Sequence, residues 1–367
     1  MAVCSSVPVE PNFQDRRARA VERTQAARLP ALVVSHLPNI RYLSGFTGSN
    51  ALLLLSGRDS LLYTDPRYEL QAQDECDCKV QVVRGKFFPA LIQTLRRRRI
   101  RAAGVEADRL SYHDYRELAG QSDGAIKLTP ITGIVEGLRA VKSPAEIEAI
   151  RASVQLNSKV YSRVLRLVKP DITELELAAE IEYHMKRLGA SGPAFETIVA
   201  AGPRSALPHA RPTSQPVGTD RLLLIDMGAS LNGYASDMTR VVHLGKPGRA
   251  ARRIYDAVRE AQEAALAVVR TGVRAEVVDG AARQALRRWK LDHTFQHSTG
   301  HGLGLEIHEE PRIGKKVTKQ LQTGMVITVE PGAYIEGYGG VRIEDTVLVT
   351  EKGCETLTPT PKELLVL

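Results

Sequence analysis

The sequence predicts an α/β protein made of two domains. Its 367 residues are long for a single hydrophobic core, because most domains hold 50–200 residues. Helical and strand-like patterns alternate through the first third of the chain. A strong helix start at Ser143 then opens a region in which one arrangement of elements occurs twice. We therefore predict an N-terminal domain over residues 1–138 and a larger domain over residues 139–367.

The N-terminal region is predicted from its hydrophobic periodicity. Apolar runs bounded by turn residues predict strands, and apolar residues at a spacing of 3.6 predict helices. No cluster of catalytic residue types occurs here, so we expect this domain to support the other domain or to contribute to specificity. The predicted strands are Ala31–Ser35, Ala51–Ser56, Ser60–Thr64, Val80–Val83 and Arg101–Glu106, and the predicted helices are residues 13–28, Pro66–Asp74 and Phe87–Arg98.

The second domain begins with a clear helix signal. Ser143 can cap the helix, Pro144 suits its first position, and Glu146 completes a capping box. A second helix is predicted to start at Thr173. A further pair, Ala250–Val269 and Val273–Leu291, follows about a hundred residues later. Each pair precedes apolar strands that carry two carboxylates, which predicts two pseudo-symmetric halves facing each other.

Asp226 and Asp237 form the first carboxylate pair. Asp226 ends the apolar run that starts at Leu222, and a buried carboxylate is costly unless it is paired or binds a metal. Asn232-Gly233 is a strong type I′ hairpin signal. That turn would place Thr239 opposite Asp226 and Asp237 on the same face as Asp226, so the two carboxylates could converge on metal ions.

Glu330 and Glu344 form the second pair. Glu330 follows the apolar run Met325–Val329, and the glycines before Glu344 predict a loop between two strands whose register the sequence leaves open. His301 lies in the glycine-rich segment Gln296–Gly304. Four carboxylates and a neutral imidazole balance two divalent cations in charge and in ligand type. Without metal the carboxylates would repel one another and take up protons, so the set predicts a dinuclear hydrolase.

Other classes of protein fit the sequence less well. The spacing of His297 and His301 is that of a zinc protease, but Ser298 stands where such a site needs glutamate, and the glycines would break the helix. No lysine–hydroxyl pair accompanies these glycines, which argues against a phosphate loop. From composition alone, His209 and His308 could equally be structural histidines.

Bulk properties narrow the class further. The net charge is +8, and four consecutive arginines occupy Arg96–Arg99. Because no aromatic residues are interleaved with this run, we interpret it as a solvated helix end and expect no nucleic-acid partner. No apolar run reaches the roughly 18 residues of a membrane span, and Met1–Gln14 shows no secretory signal. Cys4, Cys76, Cys78 and Cys354 lack metal spacing, which predicts reduced thiols in a cytoplasmic protein.

At this point the sequence resembles a known family, the metallo-exopeptidases with the pita-bread fold, and in particular the Xaa-Pro aminopeptidases and Xaa-Pro dipeptidases (prolidases). The resemblance covers nearly the whole chain, and all five predicted ligands lie in its metal motifs. The matching segments are Asn39–Phe46 and Tyr63–Tyr68 in the first domain, and Ile225–Ala229, Ser236–Arg240, Thr299–Gly302, Val329–Gly332 and Gly340–Asp345 in the second.

The resemblance implies a creatinase-like α/β domain followed by a pita-bread catalytic domain, an α+β fold in which two helix pairs flank a six-stranded antiparallel sheet. It also implies that Asp226 binds one metal, that His301 and Glu330 bind the other, and that Asp237 and Glu344 bridge both. The implied cofactors are two divalent ions. Manganese is the expected metal, with cobalt or zinc as alternatives. The implied substrates are short proline-containing peptides, and the implied assembly is a homodimer.

His209, His308 and Arg342 also fall on motif positions. Our hypothesis is that a metal-activated water attacks the carbonyl of an Xaa-Pro bond and that Glu330 passes a proton to the proline nitrogen. His308 would stabilise the oxyanion and His209 would hold the substrate. Arg342 would order the bridging carboxylates or meet the negative end of the substrate.

The sequence leaves several readings of the activity open. Arg204, if it is not simply a surface arginine, could anchor the carboxylate of a dipeptide, whereas the short N-terminal domain and residues 45–49 favour an aminopeptidase. A methionine-aminopeptidase-like enzyme shares the five ligands but usually lacks the first domain. A non-catalytic binding protein on the same scaffold would generally have lost ligands.

Overall fold

The computed structural model describes residues 12–57 and 59–367. The described chain divides between Arg139 and Ala140 into two compact units. Cys4 and most of the segment Met1–Gln14 lie outside the described residues. Within them, Cys76, Cys78 and Cys354 form no disulfide. Among the helices that the structure describes, none has the length and apolar character needed to cross a membrane.

The first unit is built on a six-stranded mixed sheet. The strand order is β4-β3-β2-β1-β5-β6, in which β1, β2 and β3 are antiparallel neighbours and the outer strands join in parallel. The strands are β1 (Leu32–Val34), β2 (Ala51–Ser56), β3 (Asp59–Thr64), β4 (Lys79–Val82), β5 (Ala102–Glu106) and β6 (Lys127–Ile131). The helices are α1 (Phe13–Ala26), α2 (Leu37–Ser44), α3 (Glu69–Glu75), α4 (Phe87–Arg97), α5 (Tyr112–Ser122) and α6 (Glu136–Arg139), with a 3-10 turn at Pro66–Tyr68.

All five predicted strands of this unit are present, but four regular elements were missed, among them the four-residue helix α6 (Glu136–Arg139). The helix α2 has only eight residues, and its left-handed end at Gly45 leaves little periodicity to read. The strand β6 lies at the sheet edge and contains Pro130, a residue that is tolerated only at such positions. The helix α5 is capped by Ser111 and buries few apolar residues.

The arginine run ends a helix, as predicted. The helix α4 stops at Arg97, and Arg99 adopts a positive φ of 58°. The Arg98 guanidinium donates to the Ser56 hydroxyl at 2.7 Å. One member of the run is therefore engaged within its own unit.

The second unit contains two helix pairs. The predicted capping box is present at Ser143 with Glu146, and the helix predicted to start at Thr173 has a second one, formed with Glu176. The helices of each pair pack on one another. The pairs are α7 (Pro144–Val164) with α8 (Glu174–Arg187), and α9 (Arg249–Leu266) with α10 (Ala275–Arg288); 3-10 turns lie at Leu165–Leu167, Gly202–Ala206 and Asp292–Thr294.

The strands of the second unit form four hydrogen-bonded sheets. The orders are β11-β10-β7, β20-β12-β9-β8, β14-β13-β15-β18-β19 and β16-β17. The strands are β7 (Gly192–Pro193), β8 (Ile198–Ala201), β9 (Arg221–Met227), β10 (Ala229–Leu231), β11 (Tyr234–Ala235), β12 (Met238–Leu244), β13 (Gly300–Gly302), β14 (Glu309–Ile313), β15 (Val326–Val329), β16 (Gly332–Ile335), β17 (Gly339–Arg342), β18 (Asp345–Val349), β19 (Cys354–Thr356) and β20 (Leu365–Val366).

The strands of the second unit therefore do not form the single six-stranded antiparallel sheet that the resemblance implies. The four-stranded and five-stranded sheets meet where the carboxylates lie, and the Glu344 amide donates to the Thr239 carbonyl at 3.2 Å across that junction. The pairing of β12 with β20 is parallel rather than antiparallel. A register shift in β13 between Gly300 and Gly302 interrupts the five-stranded sheet beside His301.

The predicted aspartate hairpin is confirmed in its register. Asn232 and Gly233 both have positive φ, at 50° and 79°, as a type I′ turn requires. Leu231 pairs with Tyr234, and Asp226 pairs with Thr239. The glutamates flank a second hairpin, β16–β17, whose register the sequence had left open.

Candidate metal centre

The five predicted ligands come from strand ends that converge on one point. His301 lies in β13, and its Nε2 atom is 3.5 Å from Oδ2 of Asp237 and 3.4 Å from Oε1 of Glu330. Candidate ligand atoms of Asp237, His301 and Glu344 all lie within 4.8 Å of one another. Asp226 completes the cluster through its place opposite Thr239, whose hydroxyl contacts Glu344.

The hydrogen bonding of His301 determines which ring nitrogen is free. Its Nδ1 atom lies 3.0 Å from the Gly302 carbonyl oxygen, which can only accept a hydrogen bond. Nδ1 therefore carries the proton, and in the neutral ring Nε2 presents a lone pair. That lone pair faces the carboxylates of Asp237 and Glu330, so acceptors face acceptors. A cation between them would resolve this arrangement.

Two buried carboxylate oxygens in the cluster have no hydrogen-bond partner. They are Oδ1 of Asp226 and Oε1 of Glu344. The other oxygen of each residue is bonded: Asp226 Oδ2 to Arg342 at 2.6 Å, and Glu344 Oε2 to the Thr239 hydroxyl at 2.7 Å. Unsatisfied buried acceptors are costly, and one free oxygen on each carboxylate is the arrangement that a metal ligand requires.

The electrostatics of the cluster point the same way. Burial raises the pKa of Asp237 and of Glu344 well above the ordinary values, and the neighbouring carboxylates raise each further. Burial likewise raises the pKa of Glu330 to about 7, against the opposing effect of Arg342. Burial lowers the pKa of His301. Buried carboxyl groups with raised pKa values beside an imidazole with a lowered pKa are a set whose charged carboxylates need a cation, so these residues fit divalent metal ions.

Arg342 connects the carboxylates to the rest of the site. The residue is buried, and its guanidinium donates to Asp226, to the Thr239 hydroxyl at 3.0 Å and to the Tyr334 hydroxyl at 2.7 Å. Because Thr239 in turn donates to Glu344, Arg342 orders two ligands at once. It also donates to the Pro208 carbonyl at 3.2 Å.

Tyr334 and His297 form a polar chain that the sequence analysis missed as site residues. The Nδ1 atom of His297 lies 2.8 Å from the Ser298 carbonyl, so it carries the proton, and Nε2 accepts from the Tyr334 hydroxyl at 2.8 Å. The direction is therefore Arg342 to Tyr334 to His297. Burial lowers the pKa of His297 to about 4 and raises that of Tyr334 to about 12, so both are neutral at pH 7. Nothing in the sequence around Tyr334 marked it.

The other two predicted histidines lie at the exposed side of the cluster. The rings of His301 and His308 meet edge to face with centroids 4.5 Å apart. Desolvation and the neighbouring His301 lower the pKa of His308, and His209 contributes to this shift because it is close by. Both His209 and His308 are exposed. The five predicted ligands, by contrast, are buried or half-buried.

Two buried ion pairs contact the chain next to His301 and His308. On α10, Arg283 pairs with Asp279 at 2.7 Å and donates to the carbonyls of Phe295 and His297, while the Thr299 hydroxyl donates to Asp279 at 2.8 Å. After His308, the carboxylate of Glu309 lies 3.2 Å from the Lys142 ammonium.

Arg204 is not part of this cluster. Its Nε atom lies 3.0 Å from a carboxylate oxygen of Glu174, which is fully buried. Both arginines considered as substrate anchors, Arg204 and Arg342, thus have internal carboxylate partners.

Comparison with known proteins assigns the chain to a family. Residues 148–351 match the metallopeptidase family M24, which is more than half of the chain. The chain belongs to this family. The preceding residues 16–141 of this M24 peptidase match the creatinase/prolidase N-terminal domain. The predicted fold class and the predicted family are confirmed, and so is the enzyme class, a metallo-exopeptidase.

Relatives cover nearly the full length of the M24 peptidase. It is 36% identical to a Xaa-Pro dipeptidase of Pyrococcus furiosus over 96% of this chain and 100% of the relative. Its structure is similar to that of a Xaa-Pro dipeptidase from Bacillus anthracis, with a TM-score of 0.93, 33% identity and coverage of 97% and 100%. It is also similar to an X-Pro aminopeptidase from Thermotoga maritima, with a TM-score of 0.87, 37% identity and coverage of 94% and 100%.

Proposed function

We propose that this M24 peptidase is a dinuclear exopeptidase that hydrolyses the Xaa-Pro bond, either at peptide N-termini or in Xaa-Pro dipeptides. The observation that carries the proposal is the cluster in which the lone pair of His301 faces Asp237 and Glu330. The relatives named above act, by their names, on Xaa-Pro substrates. Short proline-containing peptides are therefore the proposed substrates, and a homodimer is the proposed assembly.

The proposed cofactors are two divalent metal ions. A ligand set dominated by carboxylate oxygens suits manganese, while cobalt and zinc remain alternatives. When bound, two such ions supply Lewis-acid activation of a water nucleophile. The proposed ligands are Asp226, Asp237, His301, Glu330 and Glu344.

Glu330 is the proposed proton carrier. Its side chain is 16% exposed, whereas the side chain of Asp237 is 7% exposed and the residue Glu344 is 1% exposed. Among these three carboxylates, Glu330 is therefore the best placed to contact a substrate while it remains in the cluster. A carboxylate in this position can take a proton from water and deliver it to the departing proline nitrogen.

The exposed histidines are proposed to bind the substrate. A lowered pKa keeps His308 neutral at pH 7, and a neutral imidazole can still donate one N–H to a developing oxyanion. His209, which is also exposed, is proposed to hold the peptide beside the scissile bond.

Arg342 is proposed to act as a positioning residue. Its guanidinium already donates to Asp226, Thr239 and Tyr334, so of its two predicted roles the contacts support the ordering of carboxylates. Neither Arg342 nor Arg204 is proposed as an anchor for the carboxylate of a substrate. The free amino group of a peptide is proposed to lie near the metal site, which favours exopeptidase action.

The test is hydrolysis of Ala-Pro and of Ala-Pro-Ala by protein that is stripped with a chelator and then reloaded with manganese. We expect metal-dependent cleavage, and we expect E330Q to lose turnover while it still folds. Cleavage of the dipeptide alone defines a dipeptidase, and cleavage of the tripeptide defines an aminopeptidase. Cleavage of Met-Ala-Ala in place of both would support the methionine-aminopeptidase alternative. Absence of any metal-dependent hydrolysis would support a binding protein.

A further inference from the structure

The segment that carries His209 is an irregular loop with both ends close together. It leaves β8 after Ala201, forms the 3-10 turn Gly202–Ala206 and rejoins ordered contacts at Thr213. His209 lies near its tip and is exposed. Ordering a loop of this length costs conformational entropy, so specific contacts are needed to hold it in one arrangement.

One buried carboxylate holds both ends of this loop. Glu174 is the first residue of α8 and is fully buried. It accepts a hydrogen bond from the Ala201 amide at 2.9 Å on one side, and from the amide and hydroxyl of Thr213 at 3.0 and 2.8 Å on the other. A carboxylate at a helix N-terminus is also favoured by the helix dipole. The capping box at Thr173 holds the start of α8 in place.

Arg204 joins this carboxylate to the middle of the loop. Its Nε atom donates to both oxygens of Glu174, at 3.2 and 3.0 Å. A second guanidinium nitrogen, Nη2, donates across the loop to the Arg211 carbonyl at 2.5 Å. The loop is therefore closed by Glu174 at its base and by Arg204 across its width. The Arg204 side chain is 32% exposed whereas that of Glu174 is 1% exposed, so loss of Arg204 would leave the buried carboxylate without its ionic partner.

The loop also makes hydrogen bonds to β17, the strand that precedes Glu344. The Gly340 amide donates to the Ser205 hydroxyl at 2.8 Å, and Arg342 donates to the Pro208 carbonyl. Pro208 immediately precedes His209. The position of His209 relative to the ligands thus depends on the shape of a loop whose base is held by Glu174.

We propose that Glu174 is a positioning residue for His209, acting with Arg204 and Thr213 to hold residues 202–212 in the shape that presents the imidazole to substrate. This inference rests on the proposed function, because it takes His209 to bind the substrate. It also gives Arg204 a role that differs from the carboxylate anchor considered from the sequence.

The experiment compares E174Q with the wild type and with E176Q as the matched control. Glu176 lies in the same turn of α8 and accepts hydrogen bonds from the amide and hydroxyl of Thr173. Because glutamine also completes a capping box, E176Q makes the same chemical change away from the loop while the start of α8 keeps its cap. T213V is the second variant, since it removes one hydroxyl donor with little change in volume. All proteins are loaded with manganese, and metal content is measured alongside kcat and KM.

We expect E174Q to lower kcat/KM for the cleaved Xaa-Pro peptide by about 10- to 100-fold, because small displacements of a substrate-binding group have effects of that size. T213V should show a smaller loss, and E176Q should stay near the wild type. Manganese content should be unchanged. In an H209A background, E174Q should have an effect of less than about 2-fold, because the residue through which it acts is gone.

Amide hydrogen exchange gives a readout that needs no substrate. Exchange over residues 202–212 should be faster in E174Q than in the wild type and in E176Q, because the base of the loop is released. Equal losses of kcat/KM in the wild-type and H209A backgrounds would overturn the proposal, and so would unchanged exchange in E174Q. If the wild type cleaves no Xaa-Pro peptide, the proposed function fails, and the exchange comparison still decides whether Glu174 holds the loop.

Discussion

Oδ2 of Asp226 lies 2.6 Å from a guanidinium nitrogen of Arg342, while Oδ1 of the same carboxylate is buried without a hydrogen-bond partner. The arginine thus neutralises one side of the aspartate and orients the other side toward the cluster. The same guanidinium reaches Glu344 through Thr239. Arg342 therefore sets the geometry of two proposed ligands without occupying their free oxygens.

We expect R342K to weaken manganese binding by about 10- to 100-fold, the usual effect of removing a residue that orients metal ligands. A lysine ammonium cannot bond to Asp226, Thr239 and Tyr334 in the fixed fork geometry of arginine. Titration calorimetry at constant pH measures the change. R288K is the control, because Arg288 is an exposed residue paired with Glu260. Wild-type affinity in R342K would contradict this role.

We expect Y334F to reduce kcat/KM by about 10-fold. The substitution removes the hydroxyl that accepts from Arg342 and donates to His297, and so leaves both polar partners short of a bond. Steady-state kinetics on the cleaved peptide test this. Y338F is the matched control, because Tyr338 lies in the turn of the same hairpin and is exposed. Equal kinetics in the two variants would exclude a role for the chain from Arg342 to His297.

We expect D279N to lower the free energy of unfolding by about 3–5 kcal/mol, the usual cost of breaking a buried ion pair. The change leaves Arg283 without its carboxylate and weakens the bond from Thr299, so the segment before His301 loses its support. Urea denaturation of the manganese-loaded protein gives the value. D256N changes a half-exposed aspartate on α9 and should have little effect. A loss below about 1 kcal/mol in D279N would show that α10 does not hold this segment.

We expect the stability of the metal-free protein to fall as pH rises, whereas that of the manganese-loaded protein should not. The folded-state pKa values of Asp237, Glu344 and Glu330 are raised above their unfolded values, to about 7 for Glu330. Stability from a raised pKa is complete below the unfolded value near 4 and is lost as pH rises through the folded value. Thermal unfolding from pH 4 to 8, with and without chelator, measures the divergence. Parallel curves for the two forms would contradict the assignment of these carboxylates to the metal site.

Much of the fold was predictable because its signals are local. The capping boxes at Ser143 and Thr173 depend on residues three apart, and the Asn232-Gly233 turn sets the register that brings Thr239 opposite Asp226. Short or edge elements were missed, because α2 and β6 have too little periodicity to read. The division of the strands into several sheets could not be predicted, since it depends on how strands from the two halves meet.

The family and the α/β class were predictable from the sequence, and so was the proposed ligand set of four carboxylates and one imidazole, because all three depend on residue types and on their spacing along the chain. Tertiary structure alone decided that Tyr334 joins Arg342 to His297, and that Arg204 bonds to Glu174 rather than facing the cluster. These contacts join residues from separate elements, and the direction of a long side chain depends on packing that local sequence does not encode.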